Sequence, residues 1–94
     1  MLEKNQVIRT HYNNEPIEVI ILATINETIG YSEVAEWVDT TYLVSDGKFL
    51  YTLLEYNYTT RDDFTEELTT TTTTVITKKL TSLEDLNFKC YSLK

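Results

Sequence analysis

The chain has 94 residues, enough for one modest hydrophobic core and too few for two. Hydrophobic residues make up 41% of it and aromatic residues 12%, with two glycines and one proline, a balance that excludes a disordered chain of low hydrophobicity. Eight basic residues against fifteen acidic ones leave a net charge of -7, the wrong sign for a phosphate-neutralising surface, so direct nucleic-acid binding is not expected.

Residues 1–14, MLEKNQVIRTHYNN, lack the apolar core of a secretory signal and read as a mobile end. Ile17 to Ile25 then places Ile17, Val19, Ile21, Ala23 and Ile25 on one face at period two, behind Pro16, which predicts a first strand. Its other face is apolar in the middle as well, at Ile20 and Leu22, as in a strand covered on both sides or at an interface. After Gly30, Tyr31, Val34, Ala35 and Val38 fall at helical spacing, with Ser32 as cap, which predicts a short helix over about 32–39. Asp46-Gly47 between two β-rich runs predicts a tight hairpin joining strands at about 40–45 and 48–59.

Residues 61–68, RDDFTEEL, read as a loop or a single helical turn. The six threonines from Thr69 to Thr74 flow without a breaker into Val75-Ile76, and Thr is a β-branched strand former whose hydroxyl tolerates solvent. A strand over about 69–79 is therefore expected rather than a flexible linker. TSLEDL (81–86) reads as a capped turn of helix and NFKCYSL (87–93) as a final strand. The expected fold class is α+β: a single small domain with a mostly antiparallel five-stranded sheet and one short helix packed on one face.

Chemistry is sparse. His11 is the single histidine and lies in a polar run; Cys90 is the single cysteine and reads as a small core residue in a strand. With one cysteine no internal disulfide forms, which agrees with a reducing compartment. There is no metal-ligand spacing and no phosphate-binding glycine motif. No cofactor is expected, and no stretch approaches the roughly 18 apolar residues of a membrane span. A cytoplasmic, non-enzymatic protein is expected, with an undetected enzyme built on Cys90, His11 and carboxylates as an alternative.

The charge map is uneven. Residues 15–67 hold twelve acids and two bases, whereas both flanks are slightly positive. Tyrosines are interspersed with those carboxylates, and Tyr is a frequent interface anchor because it buries a rigid ring and keeps a polar handle. The expected partner-binding residues are Asp62, Asp63, Glu66, Glu67, Tyr56, Tyr58, Glu55, Glu33 and Glu36. The function expected from this pattern is an acidic interaction protein that blocks a basic, nucleic-acid-binding surface of another protein by presenting carboxylates in place of phosphates. In size and charge it has the general character of phage-encoded inhibitors of host nucleases, which would act in the host cytoplasm. A small self-associating or ligand-sequestering domain, such as a homodimer through the second apolar faces around Leu22 and Leu54, is the other non-enzymatic expectation.

Overall fold

The computed structural model describes residues 2–82, and these form one antiparallel meander. Strands β1 (Val7–Tyr12), β2 (Glu15–Tyr31), β3 (Ala35–Ser45), β4 (Phe49–Arg61) and β5 (Leu68–Ser82) lie side by side in sequence order. The turn of helix expected at 81–86 begins on the last residues of β5, and its remainder, like the final strand at 87–93 and Cys90, lies outside the described residues.

No helix is present among the described residues, which corrects the expectation of an α+β fold. The segment expected to be helical from 32 to 39 is a turn followed by the start of β3. Helical spacing over eight residues is weak evidence, because the same stretch also alternates: Trp37, Asp39, Thr41 and Leu43 on one face, Val38, Thr40, Tyr42 and Val44 on the other. Neighbours on both sides decide the matter, since β3 is hydrogen-bonded along its length to β2 and β4. The N-terminal segment is likewise a strand rather than a mobile end. Asn13 and Asn14 have φ of 51° and 65°, the left-handed pair that closes a tight hairpin and pairs Tyr12 with Glu15.

Two expected features stand as read. The Asp46-Gly47 hairpin is present, with Gly47 at φ 99°, and its carboxylate accepts from the amides of Lys48 (2.8 Å) and Phe49 (2.9 Å). Thr69 to Thr74 lie within β5, paired residue by residue with β4 from Glu55 to Thr60.

The sheet is long and curled, with extents of 60 × 29 × 20 Å. Register shifts at Ile21/Ala23 and Thr24/Asn26 mark bulges in β2, and those at Phe49/Tyr51 and Thr52/Leu53 leave extra residues in β5; both add twist. The curl brings β1 to β5, where Thr74 Oγ1 donates to Thr10 Oγ1 at 3.2 Å. Inside the curl sit Val19, Ile21, Tyr42, Val44, Tyr51, Leu53 and Ile76, with Ile8, Tyr12 and Ile17 packed against them. Burying each large apolar side chain here contributes about 1.5–3 kcal/mol.

The core occupies only one half of the molecule. Along the inner face the row Tyr42–Leu53–Ile76 is apolar, and the next row is Thr40–Glu55–Thr74. Beyond it come Val38–Asn57–Thr72 and Glu36–Thr59–Thr70, where Thr72 donates to Asn57 Oδ1 at 2.6 Å and the Thr59 and Thr70 hydroxyls lie 3.0 Å apart. That change of chemistry explains the threonine run. In the half of the sheet with no second layer, β5 needs strand propensity without apolar surface, and Thr supplies both.

Candidate functional site

The end of the sheet away from the core is built by two connections, the β2–β3 turn (32–34) and the β4–β5 loop (62–67). They are tied together where the Arg61 amide donates to the Val34 carbonyl at 2.9 Å. The β4–β5 loop closes on itself through the Glu66 amide to the Asp62 carbonyl (2.8 Å), a single helical turn, and through the Asp62 amide to the Glu67 carbonyl (3.0 Å). Asp62 Oδ1 accepts from the amides of Phe64 (2.8 Å) and Thr65 (3.2 Å), and these bonds hold its carboxyl below the usual aspartate pKa. Asp62 is therefore part of the loop's architecture as well as of its charge.

This geometry gathers Glu33, Glu36, Asp62, Asp63, Glu66 and Glu67 at one end, all exposed. Arg61 is the one basic residue of that end among the described residues. Phe64 (98% exposed), Tyr31 (81%) and Leu68 (70%) stand among the carboxylates, and Tyr31, Val34 and Leu68 line an open groove of about 350 Å³.

The other expected residues lie elsewhere. Tyr56 and Tyr58 are on the outer face of β4, their rings stacked with centroids 6.0 Å apart and planes at 11°. Tyr58 pairs with Trp37 and Tyr56 with Asp39, so these four side chains share one patch. Trp37 leans over Gly30, where any Cβ would meet the indole at 2.2 Å. Glu55 is only 3% exposed and points into the curl, where it accepts the Tyr42 hydroxyl at 3.0 Å, so it is out of a partner's reach. Burial, opposed by the Leu2 amide and reinforced by Glu55, raises the Tyr42 hydroxyl above the ordinary tyrosine value.

Sequence reasoning passed over Asp39 and placed Trp37 at the edge of the expected helix, half buried against the sheet, which is its burial here but on a strand. Alternation along β3 was the available signal for their shared face, and it was masked by the helical spacing of Val34 and Val38. His11 is exposed on β1, paired with Pro16. No three His, Cys, Asp or Glu side chains converge as metal ligands would among the described residues. No helix among them is long and apolar enough to cross a membrane. No family model matches the chain, and no curated protein or solved structure is significantly similar to it.

Proposed function

We propose that this protein is a non-enzymatic binding module that docks its acidic end onto a basic protein surface, of the kind that otherwise holds nucleic acid, and blocks it. The observation that carries this reading is the Arg61–Val34 junction, which sets six carboxylates from two separate segments around exposed apolar side chains. Carboxylates supply long-range attraction and register, and Tyr31, Phe64 and Leu68 supply the area that becomes dry on contact. The closed β4–β5 loop presents its charges with little ordering left to lose on binding.

The test is capture from cells that natively carry the chain, using the wild type and a variant with Glu33, Glu36, Asp63 and Glu67 all changed to Lys. Asp62 is left in place because its carboxylate holds the loop. The reading expects a basic protein retained by the wild type, lost with the variant, and unable to bind nucleic acid while retained. Capture unaffected by the four changes, or a captured partner that binds nucleic acid as well as before, overturns it.

A further inference from the structure

On the outer face of the sheet, next to the acidic end, Asp39 stands in a frame of aromatic side chains. Its cross-strand neighbour on β4 is Tyr56, and the adjoining pair on the same face is Trp37 with Tyr58. Asp39 Oδ1 is buried and has no hydrogen-bond partner. A buried carboxylate oxygen without a donor costs free energy, and the neighbours of Asp39 on this face, Trp37 and Thr41 along β3, Thr28 on β2 and Tyr56 on β4, give Oδ1 no hydrogen bond. Asp39 as a whole is only partly buried, so a donor can approach its carboxyl from the side of the 36%-exposed ring of Tyr56, where a cation would meet an acceptor and an aromatic face together.

We infer that Asp39, Tyr56, Tyr58 and Trp37 form a receptor for one arginine side chain of the basic partner. A guanidinium is planar, stacks on an aromatic face and donates two parallel hydrogen bonds to a carboxylate, whereas an ammonium is a compact, strongly hydrated point charge. The biological meaning of this site rests on the docking reading above, but the site itself is tested without the partner.

Trp37 is the single tryptophan of the chain, so its emission reports on the site directly. The probes are N-acetyl-arginine amide, the lysine analogue, and the citrulline analogue, which keeps the planar shape without the charge. Arginine amide is expected to change Trp37 emission saturably, with a Kd on the order of 1–10 mM, lysine amide to bind about tenfold more weakly, and citrulline amide to have no saturable effect. Asp39→Asn should abolish the arginine response and, by removing the unpartnered charge, leave thermal stability equal or higher. The Glu33, Glu36, Asp63 and Glu67 variant should keep the response, so loss of partner docking there with an intact arginine signal separates the two readings. An arginine response equal to that of citrulline or of lysine, an equal response from Asp39→Asn, or no saturable change at all overturns the inference. A lower stability of Asp39→Asn would also count against it, because Asp39 would then be a structural residue.

Discussion

The Tyr42 hydroxyl donates to Glu55 Oε1 across 3.0 Å inside the curl and itself accepts the Leu2 amide at 3.1 Å, so one phenol joins β3, β4 and the chain start. Removing the phenol leaves a buried carboxyl group short of its donor. Tyr42→Phe is expected to cost about 1–3 kcal/mol in urea unfolding, and Tyr42→Phe with Glu55→Leu to recover much of that loss, because no unsatisfied group then remains. A double-variant cost equal to the sum of the two single-variant costs would show that the pair is not coupled.

Hydrogen exchange checks the threonine strand. Thr69 to Thr74 pair with β4 on one side, and in an antiparallel ladder alternate residues point their amides at a given neighbour. Every second amide from Thr69 to Thr74 should therefore exchange slowly, as slowly as amides of β4 at the same height. Uniformly fast exchange across the run contradicts the strand.

Gly30 is the close-approach position of the outer face. A Cβ there would stand 2.2 Å from Trp37 Nε1, so Gly30→Ala should push the indole outward and red-shift its emission, with far-ultraviolet dichroism unchanged. An unshifted spectrum would mean that the indole does not lie across Gly30.

The alkaline limb of the stability curve is set by two phenols. Burial, with help from the Asp46 carboxylate that its hydroxyl meets at 2.8 Å, pushes Tyr51 up to about 12. Tyr42 is raised as well. A group whose folded pKa exceeds its unfolded value stabilises fully below the unfolded pKa and loses that contribution as pH rises through the folded one. Stability should hold to about pH 10 and fall between about pH 10 and 12, and Tyr51→Phe should flatten that fall. A fall of the same size in Tyr51→Phe would assign it to other groups.

Much of the sheet could be read from local chemistry. Asp46-Gly47 announces its turn, and Thr69 to Thr74 has strand propensity with no breaker; Ile17 to Ile25 is a strand as expected, but the bulges after Ile21 and Thr24 turn Ala23 to the outer face and leave Ile25 exposed. The failures came where two periods compete or where the signal was left unread. Val34 and Val38 satisfy helical and strand spacing equally over so short a stretch, and only pairing with β2 and β4 resolves them. Asn13-Asn14 is a hairpin signal that the polarity of its surroundings disguised. The acidic end was half legible: charge density marked Asp62 to Glu67, but that Glu33 and Glu36 join them depends on the meander placing two connections side by side. Glu55 shows the limit most clearly. A glutamate among tyrosines reads as surface, yet alternation along β4 sets Glu55 on the same face as Tyr51 and Leu53, and the curl that brings Thr74 to Thr10 encloses that face.

The most direct test of the docking claim is the association rate of the captured basic partner as a function of ionic strength. With a Debye length of about 8 Å at physiological salt, steering by the acidic end weakens as salt rises. The account predicts an association rate constant that falls steeply with added salt for the wild type and is low, with no fall as salt is added, for the variant with Glu33, Glu36, Asp63 and Glu67 changed to Lys. Dissociation should change little in that variant. An association rate that is the same for both proteins at every salt concentration would contradict the account and leave those carboxylates as a solvated coat.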